Sequence, residues 1–262
     1  MEYRGSQFYD RKEQFANYTA RRGMPENAND TLEEPIIWEM TGEVKGFSVL
    51  DIGCGDAQFG RKLLDAGAGK YTGMEGSQNM YGLAVQSLEE VADRGNAIFT
   101  TIEDWVAAEN RAEADAAIAE KDAGSYDLVI SRLVLHYLED LAPLFTKLYE
   151  ILKPGGRFIF SIEHPVITST LEPSGIRTNW VVDQYFVPGY RTQEWMGGPV
   201  MKYHRTVEDY FQTACRAGFK VSNLRESKPV RERFIHEETY ERRLRIPLFL
   251  FMELTKNSSE SR

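Results

Sequence analysis

The run Val49-Leu50-Asp51-Ile52-Gly53-Cys54-Gly55-Asp56-Ala57 constrains this chain more than any other stretch. It reads as an apolar strand running into a glycine-cornered turn, with a helix starting behind it. Asp51 stands near the strand's close, and Gly53 and Gly55 form the turn. Glycine permits positive φ and lets a ligand approach the backbone. In α/β proteins such a turn at the end of the first parallel strand is where nucleotides bind. About two dozen residues later, Tyr71-Thr72-Gly73-Met74-Glu75 reads as a second strand ending in an acid. A carboxylate there can accept both hydroxyls of a ribose. The two features together imply an adenosine-containing ligand.

Apolar runs then alternate with helical patterns. Strands are expected at 47–52, 70–75, 96–101, 125–131, 156–163, 218–225 and 247–255. Helices are expected near 57–67, 78–92, 103–121, 139–152 and 206–217, and another starts at Glu34-Pro35, with proline in its first turn. This alternation means a parallel sheet with right-handed crossovers. Lys153-Pro154-Gly155-Gly156 stops one helix and turns tightly into the next strand. Residues 164–205 break the pattern. They hold Trp180, Tyr185, Phe186, Tyr190, Trp195 and Tyr203 among several glycines and prolines, and are too long for an ordinary loop. They follow a strand whose end points at the binding edge of the sheet. We read this insertion as a substrate lid or pocket wall; the alternative is a β-hairpin that only covers the sheet or makes a dimer contact.

The 262 residues suit one large α/β domain with added elements. The net charge of −9 argues against a nucleic-acid backbone as partner. Cys54 and Cys215 are far apart and lack a metal-like cluster, so neither a disulfide framework nor a metal site is expected. No N-terminal apolar run resembles a signal peptide, and no stretch has the length to span a bilayer. A cytoplasmic protein is expected, with no membrane partner. The sequence does not set the oligomeric state.

Taken in order, these motifs resemble the class I S-adenosylmethionine-dependent methyltransferases, in particular the small-molecule branch of the ubiquinone-biosynthesis type. The carriers are the Val49–Gly55 turn, the acid Glu75, Tyr126-Asp127-Leu128-Val129 with Ser131, Leu152-Lys153-Pro154-Gly155-Gly156, and Thr206 to Phe219 with its Ala217-Gly218-Phe219 ending. The resemblance covers roughly 45–165 well and 206–255 loosely. It implies a Rossmann-like seven-stranded sheet, mostly parallel with an antiparallel last strand and helices on both faces. Around it would be an N-terminal helical cap over 1–40 and the aromatic-rich insertion after the fifth strand, all in one domain. Two departures stand out. The third glycine of the family's turn is Ala57, and Thr101 takes the place of an aspartate that commonly meets the adenine.

The resemblance further implies a site. The methionyl part of S-adenosylmethionine would lie over Gly53, Cys54 and Gly55, with Asp51 orienting the turn and facing the α-amino group. Glu75 would hold the ribose hydroxyls by charge-assisted hydrogen bonds, beside Gly76 and Ser77. Ile102 would pack on the adenine, and Glu103 or Asp104 would meet its amino group. Ser131 would bring backbone near the sulfonium. Tyr18, Arg21 and Arg22 belong to the segment that folds over the cofactor in this family; one arginine could pair with the cofactor carboxylate, or remain solvated on a helix.

Sulfonium is a good leaving group, so much of the catalysis can be positioning and desolvation. A base is needed only where the nucleophile has a proton to lose. His164, at the end of the fifth strand, is the first candidate for base or substrate anchor, and His204, at the exit of the insertion, is the second. His136 lies on the turn after the fourth strand, where it either meets substrate or packs. Trp180, Tyr185, Trp195 and Tyr203 are candidates to line the acceptor site. Competing readings are a nicotinamide-dependent oxidoreductase, a binding protein that kept the fold, and a methyltransferase acting on protein or RNA. The oxidoreductase pattern wants glycine where Gln58 stands.

Overall fold

The computed structural model describes residues 3–22, 24–107, 124–170 and 179–258. Its centre is a seven-stranded sheet built from β2 (Ser48–Ile52), β3 (Lys70–Glu75), β4 (Gly95–Phe99), β5 (Tyr126–Arg132), β6 (Leu152–Glu163), β9 (Lys220–Glu226) and β10 (Phe249–Thr255), in the order β4-β3-β2-β5-β6-β10-β9. Neighbours from β4 to β6 run parallel, and β10 is antiparallel to both β6 and β9. This is the sheet the sequence implies, with all seven strands close to their expected positions.

One boundary differs. Pairing between β5 and β6 begins at Tyr126↔Leu152 and resumes at Leu128↔Arg157, so Lys153–Gly156 bulge out of a strand already begun. Gly155 has φ +78°, and a Cβ on Gly156 would lie 2.8 Å from the Lys153 carbonyl oxygen, so both positions need glycine.

Apolar side chains leave the sheet on both faces and form two cores. Phe158, Phe160 and Ile162 of β6 pack one core against α6 (Ile102–Ala107), α7 (Ala142–Ile151) and α9 (Val207–Arg216). Ile159 with Phe249 and Phe251 of β10 packs the other, with α3 (Glu34–Thr41), α4 (Gln58–Asp65) and α5 (Gln78–Leu88). The expected helix over 103–121 is seen as α6, and its remainder lies outside the described residues.

The N-terminal segment supplies β1 (Tyr3–Arg4), α1 (Ser6–Tyr9), α2 (Lys12–Arg22) and a π-helical turn at Asn29–Glu33 leading into α3. Residues 164–205 hold the short α8 (Pro165–Thr168) and a hairpin of β7 (Gly189–Trp195) and β8 (Gly198–His204). β8 also pairs in parallel with β1, making a separate three-stranded sheet. A last helix, α10 (Glu237–Leu244), precedes β10. No helix among the described residues is long and apolar enough to cross a membrane.

Candidate active site

A cavity of about 1140 Å³ opens at the C-terminal edge of β2, β3, β5 and β6. It is roofed by α1, α2, the π-helical turn and the inner side of the β7–β8 hairpin. Single-ligand pockets run to about 300–1,000 Å³, so there is room for two small ligands side by side.

One half is built on the glycine turn. Gly53 and Gly55 have φ of +71° and +61°, and the N–H groups of Gly53 and Cys54 both donate to the Met74 carbonyl at 2.8 and 2.9 Å. Ala57 also adopts positive φ, at +53°, and takes the left-handed position that the family gives to glycine. The side chain of Asp51 is 1 % exposed. Its Oδ2 accepts the Tyr71 hydroxyl at 2.9 Å, while Oδ1 is buried without a partner. Burial raises its pKa to about 6 against that hydrogen bond. Glu75 accepts from Gly55 N at 2.9 Å through one oxygen and from Ser77 N at 2.7 Å through the other. Burial raises its pKa despite these donors. Ser77 does not line the cavity. It caps α5 through Met80 N and donates to Asp10, which ties α1 to the Glu75 loop. Ser131 also stays out of the lining; its hydroxyl donates to the Ile52 carbonyl and fixes the end of β2.

Tyr18, Arg21, Gly76, Ile102 and Glu103 all line the cavity. Thr101 caps α6, donating to Asp104 at 2.6 Å and accepting from its N–H at 3.0 Å. Asp104 is therefore occupied, and Glu103 is the carboxylate with no such partner among the described residues. Glu33 is fully buried and is gripped by Arg132 and by the Ser161 hydroxyl at 2.7 Å. This pair forms the floor beside Asp51.

The other half is a polar cluster at the end of β6. Lys202, 1 % exposed, donates to Glu163 Oε1 at 2.5 Å and to Gln193 Oε1 at 3.2 Å. Glu163 Oε2 is buried with no partner. Burial alone would raise the Glu163 pKa, but the Lys202 ammonium and then His136 hold it below the usual carboxylate range. His136 Nδ1 accepts the Glu163 N–H at 3.3 Å, and burial pushes its pKa down to about 3. The neutral ring then carries its hydrogen on Nε2. Trp195 lies between two cations, with the Arg21 guanidinium 4.9 Å and the Lys202 ammonium 5.0 Å from its ring centroid. Tyr9 and Tyr137 share a hydroxyl contact of 3.3 Å, and burial raises both pKa values, so both stay protonated.

Of the expected acceptor-side residues, His136, Trp180 and Trp195 line this cavity. The expectation for the two histidines at the strand end and the insertion exit is corrected. His164 Nδ1 accepts from Val166 N at 3.1 Å, capping α8, and its Nε2 meets Glu226 at 3.0 Å on the far side. His204 is fully buried between the Thr168 hydroxyl at 2.8 Å and the Tyr185 carbonyl at 2.9 Å. Tyr185 and Tyr203 are also turned away. The first accepts from Val207 N, and the second packs on Tyr190 and under Arg205. None of these four borders the cavity.

Glu163, Lys202 and Gln193 were missed in the sequence. Strand parity holds the signal. Ser161 and Glu163 are two apart, share the face of Ile159, and are the polar residues that follow the apolar run Phe158–Phe160. His164, one residue on, falls to the opposite side.

Residues 50–158 match the family described as "Methyltransferase domain". A structure from Listeria monocytogenes, assigned as an S-adenosylmethionine-dependent methyltransferase, is 30 % identical with a TM-score of 0.69, covering 86 % of this chain and 96 % of that one. A second, an S-adenosylmethionine-dependent methyltransferase from Mesorhizobium loti, is 28 % identical with a TM-score of 0.70, covering 87 % and 100 %. A ubiquinone biosynthesis O-methyltransferase from Bordetella avium is 31 % identical over 52 % of this chain, which spans about half (51 %) of that relative's length. The strand order, the glycine turn with its two flanking acids and these likenesses agree: the chain belongs to the class I S-adenosylmethionine-dependent methyltransferases.

Proposed function

We propose that the enzyme methylates an O or N atom of a small molecule held against Glu163, His136, Trp180 and Trp195. The observation that carries this is the continuous cavity, whose two halves are each lined by a residue with a buried, unpartnered carboxylate oxygen. Asp51 Oδ1 belongs to the cofactor half, where an ammonium group is the donor that would satisfy it. The cradle fits the cofactor in a second respect: a Cβ on Gly53 would lie 2.4 Å from Val134 Cγ2, so only a bare backbone keeps that floor open.

In this reading Asp51 and the Gly53–Gly55 turn hold the methionyl end, Glu75 the ribose, Ile102 and Glu103 the adenine. Tyr18 and Arg21 close over it from α2. When bound, the cofactor supplies an electrophilic methyl group on a sulfonium. The chain's own task is to align the acceptor, exclude water and leave no competing nucleophile at the junction. Cys54, the thiol nearest the turn, is held as a thiol, with its pKa raised well above the ordinary value, first by burial and then by Asp51 and Glu75. The roofed cavity with its aromatic lining and the acidic chain favour a small acceptor over protein or RNA. The acceptor-side roles first given to His164, His204, Tyr185 and Tyr203 are not retained.

Calorimetry with S-adenosylhomocysteine and NAD tests the cofactor half. The demethylated cofactor is expected to bind and raise the melting temperature, and NAD to do neither. Turnover only on a peptide or RNA would overturn the small-molecule reading.

A further inference from the structure

Glu163 carries a charge that its partners only half use. Oε1 is taken by Lys202, and Oε2 is buried without a donor in a residue that lines the cavity. A buried carboxylate oxygen without a donor is costly, so such atoms are completed by a ligand or by water. The groups around it narrow what that ligand is. His136 presents an N–H, because its Nδ1 is already filled by the Glu163 N–H. The hydroxyls of Tyr9 and Tyr137 stay protonated through burial. Among these groups, Glu163 is the one able to take a proton.

We infer that Glu163 Oε2 receives the acceptor's reacting atom, and that this atom is a nitrogen bearing a hydrogen. The inference rests on the methyl-transfer reading above and narrows it. A carboxylate acceptor would set two anions against each other in a desolvated site. A phenol must give up its proton to react well, and Lys202 keeps Glu163 a weak acceptor for it, whereas a nitrogen sheds its proton after transfer has made it acidic. An N–H nucleophile gains in both respects. It donates to Oε2 on binding, and positive charge moves onto nitrogen during transfer, where the fixed carboxylate stabilises it. The nitrogen lone pair forms the new bond to the methyl carbon. The carbon–sulfur bond breaks, and its electron pair stays on sulfur. The proton shed by nitrogen passes to Glu163 and leaves to water with the product; a strongly basic nitrogen keeps it and leaves as an ammonium ion.

The test uses a ring-matched set of probes, benzylamines and anilines, phenols and benzoates, measured by saturation-transfer NMR on the full chain with S-adenosylhomocysteine bound. Wild type is expected to bind members of the amine set and to discriminate against benzoates. Glu163→Gln is expected to weaken amine binding at least about tenfold, the scale of one lost charged hydrogen bond. It should also improve benzoate binding and leave S-adenosylhomocysteine affinity unchanged. Amines that bind are then supplied with S-adenosylmethionine, and release of S-adenosylhomocysteine should fall in the variant by more than its binding does. If Glu163→Gln fails to fold because Lys202 is left buried without a counter-charge, the pair Glu163→Gln with Lys202→Met removes both charges. Benzoates binding wild type as well as amines, no amine binding at all, or amine affinity unchanged in the variant each overturn the inference. Failure of S-adenosylhomocysteine itself to bind would overturn the cofactor reading instead.

Discussion

The carboxylate of Glu75 accepts the backbone N–H of Gly55 at 2.9 Å, so the acid that ends β3 also holds the turn that ends β2. Its other oxygen takes the Ser77 N–H at 2.7 Å, and Ser77 in turn donates to Asp10 of the N-terminal segment. One side chain thus couples the β2 turn, the β3 end and the N-terminal segment above them.

Replacing Glu75 by alanine should therefore do two things at once. Affinity for S-adenosylhomocysteine should fall about tenfold or more, the scale of one or two lost charged hydrogen bonds. The free protein should also melt earlier, because the buried Ser77 N–H and the half-buried Gly55 N–H lose their acceptor. Glu75→Asp separates the effects poorly by design, since a side chain one methylene shorter cannot span Gly55 and Ser77 together. It should resemble alanine in affinity more than charge conservation suggests. Calorimetry and thermal melts on both variants check this; unchanged affinity in Glu75→Ala would remove Glu75 from the site.

Gly53 faces Val134 in the same cradle. Gly53→Ala must adopt a φ of +71° and put its Cβ 2.4 Å from Val134 Cγ2. The left-handed backbone costs an alanine about 1–2 kcal/mol, and the overlap adds about 1–3 kcal/mol. Adding Val134→Ala should recover the second part and not the first. Urea unfolding of the two single variants and the double variant gives the coupling directly. Full additivity would mean that the turn and the β5 loop are not in contact.

The sheet was legible because its signals are local: most strands carry an apolar run, and β2, β3 and β6 each end at a glycine or an acid. The glycine turn and the acid Glu75 that line one half of the cavity were legible for the same reason, since they sit at fixed places along two strands. The acceptor side was not. Lys202 reaches Glu163 from a hairpin 39 positions away, and nothing local announces a buried lysine. His164 misled because a histidine at a strand end suggests chemistry, while the pleat gives the cavity to its neighbour Glu163. The aromatic count of the insertion was also ambiguous. Trp180 and Trp195 border the cavity, whereas Tyr185 and Tyr203 stiffen the hairpin, and composition does not tell inner from outer faces.

Asp51 should set a pH dependence of opposite sign for stability and for binding. Its folded pKa, about 6, lies above the ordinary 3.8 of the unfolded chain. The stability it lends is therefore full below about 3.8 and lost as pH rises through about 6. Asp51→Asn should accordingly make the free protein more stable than the parent at pH 8, with the difference closing toward pH 4. Binding runs the other way. In the proposed site the α-amino group of S-adenosylhomocysteine meets the ionised carboxylate, so affinity should fall as pH drops below about 6, and Asp51→Asn should flatten that dependence at a lower affinity. Melting temperatures and calorimetry between pH 4 and 8 check both signs.

His164 gives the sharpest contrast between sequence expectation and structure. Its ring accepts the Val166 N–H to start α8 and bridges to Glu226 on the edge strand β9, with no side to the cavity. Burial lowers its pKa, against the pull of Glu226, so the cap is a neutral imidazole. His164→Ala removes one cap, worth about 0.5–2 kcal/mol, and should lower the melting temperature with little change in turnover per folded molecule. His164→Asn offers a side-chain oxygen to the same N–H and should restore most of the stability. A base at this position would give the opposite result: turnover lost in both variants, with stability following only the alanine. Rates normalised to the folded fraction, measured on an acceptor found through the Glu163 experiment, decide between a residue that builds the edge of the pocket and one that works inside it.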